Sequence, residues 1–479
     1  MNRSGIASSI AYQIIENVGA KVVTAVLSLV VARILSPEDY GVVAIVSVFI
    51  ALSDAIVQSG LNVALIQKKT TDELDYNTVF YISLGMSVVV YVALFAISPF
   101  VGEFYQLSEL STLIRFQGLA VFVAPFNTIY TAKTRREMKF KLLMVCNLIS
   151  SIAAGATGVV LAYVGFGVWS LVIQALSQKV IALAMMVVSV KWHPSLLFSF
   201  DRGIPLYRFG YKILLSNILN VLSNQVSSLV IGKAFTTGDL AFYQQGSLYP
   251  RTITESLNNA VQNVMIVPMS RAKSKESDVR SYARKTSRMV YFAIAPCMFG
   301  LAATAQTLVP VLFTDKWVPL VPFLYVYCAN YLLYPMLSSG YQVLMALGKS
   351  GVYLAFNIVS KISFLVLLFV GAFIFKDVFV IAIFGLLSSS GTLFFNAILL
   401  KHYIGYNVFD QALDVGSSLL VAGVMFGIVF SMNYLECEMA VKLALQVVVG
   451  FVVYVALSMG FRTEPYRVLV DYIKHKKRR

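Results

Sequence analysis

Only 13% of the 479 residues are charged, about half the roughly 25% of a soluble globular chain, while 58% are hydrophobic and the mean hydropathy is +0.77. That excludes a water-soluble enzyme, a secreted disulfide scaffold and a disordered chain, because so much apolar surface can be left open only to lipid. The net charge of +15 comes from 38 Lys and Arg against 23 Asp and Glu, and their placement shows what it serves.

A span needs about 20 mainly apolar residues. Apolar runs between polar breaks predict fourteen spans, at 10–32, 41–66, 78–98, 112–131, 142–163, 168–190, 210–233, 240–267, 288–312, 319–346, 351–375, 377–400, 413–433 and 439–461. The start, Met1 to Ala11, has no small-residue cleavage site, so no cleavable leader is expected. An even number of spans puts both termini on one side. That side carries 28 Lys and Arg and the other only 5 (Arg33, Lys233, Lys316, Lys376 and Lys442). The positive-inside rule then places both termini in the cytoplasm of a multi-pass cell-membrane (inner-membrane) protein. The basic segments 133–141 and 271–288 are expected beside anionic headgroups, and nucleic acid is not expected as a partner. Cys146, Cys297, Cys328 and Cys437 form no CxxC pair, which argues against a disulfide framework or a zinc site.

The chain repeats itself at an offset of 200 residues. Ser28-Leu-Val-Val-Ala-Arg33 lies over Ser228-Leu-Val-Ile-Gly-Lys233, and the turn Ser36–Asp39 lies over Thr236–Asp239. Each turn has a hydroxyl at the N-cap and an acid three residues on, the pattern of a capping box. Pro37 falls at the first helical position, where a missing N–H costs nothing. The copies begin six spans apart and so share one orientation, a parallel repeat whose substrate sites lie between the halves. The expected architecture is all-α: an N-lobe of spans 1–6 (1–200), a C-lobe of spans 7–12 (201–408), and spans 13–14 with a basic tail (409–479).

Polar residues recur at helical spacing on four of these spans. The first carries Gln13, Asn17, Lys21, Thr24 and Ser28, and the seventh answers with Asn217, Asn220, Asn224 and Ser228. The second carries Ser47, Asp54, Gln58 and Asn62, and the eighth Ser247, Arg251, Glu255, Asn258 and Gln262. Hydrogen bonding between helices within a lobe is one use for such stripes. A shared aqueous cavity fits their length and symmetry better. A cation at mid-membrane costs roughly 2.5–3.5 kcal/mol on insertion scales, which makes Lys21 and Arg251 candidates for holding an anionic group. The alternatives are an i,i+4 bridge from Arg251 to Glu255 and a pairing of Lys21 with Glu16 or Asp54. Lys179 and Lys361 lie off the repeated stripes and are expected to pair inside a lobe. Arg33 and Lys233 stand at helix C-terminal ends, where a cation is favourable. Pro125, Pro250, Pro296 and Pro335 fall inside spans and predict bends.

No catalytic constellation is present. Gly348-Lys349-Ser350 imitates the end of a P-loop, but the glycine required five residues earlier is Val343. The three histidines have no ligand spacing, and neither metal nor cofactor is called for. The chemistry expected is transport.

The segment Val30-Val-Ala-Arg-Ile-Leu-Ser-Pro-Glu-Asp-Tyr-Gly41 and Phe166-Gly-Val-Trp169 before the sixth span carry a resemblance. Together with the span count, they resemble the polysaccharide (O-antigen, colanic or teichuronic acid type) flippases of the multidrug/oligosaccharidyl-lipid/polysaccharide exporter superfamily. The resemblance implies two lobes in a V that rock between inward- and outward-open states. It implies a cargo of an undecaprenyl-pyrophosphate-linked oligosaccharide, membrane lipids around it, and a polysaccharide polymerase complex as partner. It assigns the pyrophosphate to Lys21 and Arg251 alone; Asn17, Thr24, Asp54, Gln58, Asn217, Asn224, Glu255 and Asn258 are expected to line the cavity from the polar stripes. In the related lipid II flippases the last two helices help form a groove for the lipid tail, which implies the same for spans 13 and 14. The other reading within that superfamily is a sodium- or proton-coupled antiporter with Asp54 and Glu255 as coupling groups.

Overall fold

Side-chain caps start the helices that begin at Pro37, Glu73, Thr237 and Val378. The computed structural model describes residues 26–58, 60–271 and 276–461, and among them there is no strand. Helix α1 (26–34) ends the first span, and α2 (Pro37–Gln58) begins at the capping box the sequence predicts. There Asp39 N–H donates to Ser36 Oγ at 3.3 Å and Ser36 N–H to Asp39 Oδ2 at 3.0 Å. The second copy forms the same box: Asp239 N–H donates to Thr236 Oγ1 at 3.1 Å and Thr236 N–H to Asp239 Oδ2 at 3.3 Å.

Next come α3 (Leu61–Gln67), α4 (Glu73–Tyr105), α5 (Ser108–Gly118), α6 (Ala124–Arg136), α7 (Phe140–Tyr163), α8 (Val168–Ser189) and α9 (Phe200–Ala234). Then follow α10 (Thr237–Arg271), α11 (Glu276–Leu312), α12 (Leu320–Ala346), α13 (Ser350–Phe369), α14 (Val378–Ile404), α15 (Val408–Ser431) and α16 (Met439–Gly460). Pro125 breaks the predicted fourth span into α5, a 3-10 turn at Leu119–Val123 and α6, because its nitrogen cannot join the α ladder. Pro296 and Pro335 stay inside α11 and α12.

Twelve stretches among the described residues are long and apolar enough to cross a membrane. Their outward faces carry large bare hydrophobics such as Phe100 (71% exposed), Leu420 (73%) and Phe451 (71%), which only lipid would cover at such density. The predicted first span falls mostly outside the described residues. The predicted eighth is helical but too polar to count among the twelve.

The chain divides into two compact units, Met1–Ala241 and Phe242–Arg479. The first is centred on Leu61, Leu65, Phe80, Ile129, Tyr130 and Trp192, with the Tyr130 hydroxyl donating to the Trp192 carbonyl at 3.1 Å. Within it the two repeated turns meet: a Cβ on Gly41 would lie 1.9 Å from the Thr237 carbonyl oxygen. That contact is why the motif ends in glycine.

The second unit packs α11 against α15 and α16 through Ala295, Ala303, Ala422, Met425 and Tyr454. The last two helices are tied to α11 by polar contacts at both ends. At one end Asn433 Nδ2 donates to the Ala303 carbonyl at 3.1 Å and Asn433 Oδ1 accepts from Gln446 Nε2 at 2.9 Å. At the other, Asp414 of α15 accepts from Arg284 and Arg288 of α11, while Arg280 pairs with Asp410 at 2.8 Å. The basic run 271–288 therefore differs from the expected headgroup-facing loop. Its described part is helical, and three of its arginines serve these acids.

Candidate functional site

The cavity residues expected on the first span, Asn17, Lys21 and Thr24, lie outside the described residues. In the first unit, Asp54 on α2 accepts from Lys179 Nζ on α8 at 2.6 Å, with side chains 26% and 32% exposed. Lys179 thus pairs inside its lobe, as its off-stripe position predicts, and Asp54 already has a cation. Gln58, one turn further along α2, is exposed. The Asn62 side-chain oxygen is buried with no hydrogen-bond partner. On α9, Asn217 and Asn224 are exposed and Ser228 is buried, so the seventh-span stripe is open over most of its length. Lys233 donates to the Phe104 carbonyl at the end of α4 and stands 4.5 Å from the Phe104 ring centroid, a structural use of the cation.

In the second unit, α10 carries Arg251, Glu255 and Asn258. Arg251 is exposed, and among the described residues it forms no ion pair with Glu255. The i,i+4 bridge is therefore not made, and the guanidinium instead lies within electrostatic reach of Tyr327 and Tyr331 on α12. Glu255 lies within reach of Tyr331 and Tyr334. Asn258 is buried and donates through Nδ2 to Ser338 Oγ at 3.1 Å, leaving its own oxygen unpartnered. These three residues share one helix face and one neighbour, α12.

Two features escaped the sequence reading. The tyrosines of α12 fall in what reads as a plain apolar span, though their spacing of four and three residues was visible. The Asp414 cluster joins residues 126 and 130 apart, a pairing no local pattern encodes. Beside Asp414, the Tyr406 hydroxyl donates to Oδ2 at 2.8 Å; burial and then this bond push its phenol above the usual range.

On the other side of α12, Tyr325, Cys328, Ala329 and Leu332 face Phe299 of α11 and Phe426 of α15 across an apolar groove of about 520 Å³. Its lining comes from α11 and α12 together with α15, the first helix of the appended pair. It takes almost no polar atoms and suits a hydrocarbon chain.

Residues 30–322 match the family described as "Polysaccharide biosynthesis protein". The lipopolysaccharide biosynthesis protein WzxC of Escherichia coli (strain K12) is 25% identical over 348 residues, 71% of this chain and 70% of that protein. The succinoglycan biosynthesis transport protein ExoT of Rhizobium meliloti (strain 1021) is 25% identical over 66% of this chain and 64% of its own length. The teichuronic acid biosynthesis protein TuaB of Bacillus subtilis (strain 168) is 24% identical, over 62% of each chain. The alignments with ExoT and TuaB thus span a little under two thirds of those proteins. Among solved structures, the lipid II flippase MurJ in an inward-closed conformation superposes with a TM-score of 0.76 at 14% identity, over 96% of this chain and 100% of that one. An inward-facing multidrug resistance MATE transporter gives 0.53 at 14% identity, over 80% and 94%. At these identities the structural likeness speaks for the fold. The family match covers more than half of the chain, and this multi-pass membrane protein therefore belongs to the polysaccharide biosynthesis protein family.

Proposed function

We propose that the chain is a flippase for an undecaprenyl-pyrophosphate-linked oligosaccharide repeat unit. It carries this lipid across the cytoplasmic membrane by alternating access, for lipopolysaccharide, capsule or exopolysaccharide synthesis. The observation that carries the reading is α10. At 35 residues it is long enough, about 50 Å, to cross a bilayer with length to spare, yet it is too polar to stand among the apolar spans. A helix of that kind is stable at membrane depth only where protein or water covers its polar face. Arg251, Glu255 and Asn258 on that face supply charge and hydrogen bonds for a polar headgroup. The names of the relatives, all concerned with making or moving surface polysaccharides, supply the class of cargo.

Arg251 and Lys21 hold the pyrophosphate in this reading, with Asn17, Thr24, Asp54, Gln58, Asn217 and Asn224 as further cavity-lining groups. The lobes are 1–200 and 201–408, followed by the pair in 409–479. Both termini are cytoplasmic, and the apolar groove beside α15 takes part of the lipid tail. The membrane potential supplies a driving force. Moving about two negative charges outward is favourable by roughly 2.3 kcal/mol per charge per 100 mV, or about 4–5 kcal/mol. Of the two acids the antiporter reading uses, Asp54 is already occupied by Lys179, which leaves that reading Glu255 alone.

The test is reconstitution into vesicles offered both a fluorescent undecaprenyl-pyrophosphate oligosaccharide and a fluorescent organic cation. The expected result is movement of the lipid, faster with an inside-negative potential on the side of supply. Sodium- or proton-linked efflux of the organic cation without lipid movement would move the function to the antiporter.

A further inference from the structure

Helix α12 carries Tyr327, Tyr331, Tyr334, Ser338 and Tyr341 at steps of four, three, four and three residues, which is a single helix face. From the first to the last the stripe runs about 21 Å along the axis, most of a hydrocarbon core of about 30 Å. It faces α10 in the same unit. Tyr243 packs edge-on against Tyr327, ring centroids 5.6 Å apart, and Asn258 reaches Ser338. Along the stripe the rings follow one another, with 6.4 Å between the centroids of Tyr327 and Tyr331 and again between Tyr331 and Tyr334. Tyr331 and Tyr334 are half-buried, and among the described residues their hydroxyls have no hydrogen-bond partner.

The apolar groove lies on the opposite face of α12, so the tyrosines occupy its polar side and not its lipid-like side. Packing alone gives no use for phenol oxygens here. Phe or Leu would fill the same space, and a hydroxyl deep in a membrane costs free energy until it finds a partner. A pyranose ring supplies that partner. Its C–H face is apolar and slightly positive and lies well against the negative face of an aromatic ring. Its rim of hydroxyls gives and accepts hydrogen bonds with phenols, amides and carboxylates. Glu255, within reach of Tyr331 and Tyr334, adds an acceptor for sugar hydroxyls, while Arg251, near Tyr327 and Tyr331, is left to the pyrophosphate.

We propose that the Tyr331–Tyr334 face of α12, with Glu255 and Asn258 of α10, is the sugar-binding track of the transport path, where hexose rings of the cargo stack and are selected. The track rests on the lipid-linked oligosaccharide reading above and adds to it which part of the cargo this face takes. Tyr331 and Tyr334 are specificity-determining residues, and the pyrophosphate stays with Arg251 and Lys21.

The full-length protein in nanodiscs tests this with two probes, an undecaprenyl-pyrophosphate-linked oligosaccharide and undecaprenyl pyrophosphate without sugar. Wild type is expected to bind the sugar-bearing lipid at least tenfold more tightly, about 1.4 kcal/mol. The Tyr331→Ala/Tyr334→Ala variant should lose that preference while binding the bare carrier as before, which also reports that it is folded. Nitration of wild type supplies a second measurement free of folding effects. The sugar-bearing lipid should shield Tyr331 and Tyr334 from modification, read by mass spectrometry, and the bare carrier should not. Equal affinity of wild type for the two lipids, a full preference in the alanine variant, or equal nitration overturns the track alone. Wild type that binds neither lipid overturns the flippase reading itself.

Discussion

Asp414 on α15 accepts two bonds from Arg284 on α11, at 2.7 and 2.8 Å, and two more from Arg288, at 3.0 and 2.6 Å. Its side chain is only 1% exposed, while the arginines are 33% and 26% exposed. One carboxylate thus bridges a pair of guanidiniums where the appended helices meet α11. Bidentate charge-assisted bonds of this kind fix orientation as well as add energy. The last helix pair is therefore locked to the bundle at its cytoplasmic end, in the orientation proposed above.

Removing that carboxylate leaves two partly buried cations facing each other. Asp414→Asn is expected to destabilise the folded protein by about 2–4 kcal/mol, below the upper range for a buried pair because the arginines reach solvent. Thermal unfolding in detergent, followed beside wild type, checks this. Protease sensitivity between α14 and α15 should rise in parallel. An unchanged melting temperature would remove the lock.

Gly41 is a second point of no tolerance. With a Cβ 1.9 Å from the Thr237 carbonyl oxygen, Gly41→Ala must push the two repeated turns apart. The expected cost is about 1–3 kcal/mol, the range for overpacking. Gly85→Ala, which would meet nothing within 4 Å, serves as control and should fold like wild type. Comparing the monodisperse yield and melting of the two variants decides the matter.

The Asp54–Lys179 pair predicts coupling between α2 and α8. Asp54→Asn and Lys179→Met should each destabilise, and the double variant should recover part of the loss. A coupling free energy of about 1 kcal/mol is expected for a half-buried pair in contact. Strict additivity in a double-mutant cycle would show that the contact contributes nothing.

Asp72 caps α4 and accepts from Arg202 at the start of α9. Arg202, and next the Asp75 backbone N–H, hold its carboxyl below the ordinary value of 3.8. A carboxyl depressed on folding adds stability above that ordinary value and gives it up as pH falls through its lower folded value. Arg202→Gln should therefore weaken the fold slightly at neutral pH and make no difference once Asp72 is protonated. The effect is small because both groups face water and salt screens them. Unfolding curves for both proteins across the acid range would show the gap closing, and a gap independent of pH would contradict it.

Local chemistry made much of the fold readable. Both capping boxes are four-residue patterns, and Ser36–Asp39 and Thr236–Asp239 close as written in the sequence. Most spans follow from hydropathy alone. The candidate site was legible to a lesser degree. Arg251 and Glu255 stood out as charges in a span, but whether they paired depended on side-chain geometry that an i,i+4 spacing only permits. Lys179 was legible as a cation that pairs inside its lobe, but not its partner, because Asp54 lies 125 residues away. The tyrosines of α12 were hidden by their own hydrophobicity, since apolarity along the chain does not say which face of a helix meets polar neighbours.

The most direct measurement is movement of a labelled undecaprenyl-pyrophosphate oligosaccharide across reconstituted vesicles, with wild type, Lys21→Ala and Arg251→Ala side by side. Wild type should move the lipid well above protein-free vesicles, and each substitution should slow it at least tenfold, the loss of about 1.4 kcal/mol of cargo binding. Wild type that moves no lipid above protein-free vesicles, or substitutions that leave its rate unchanged, would contradict a flippase whose cavity cations hold the pyrophosphate.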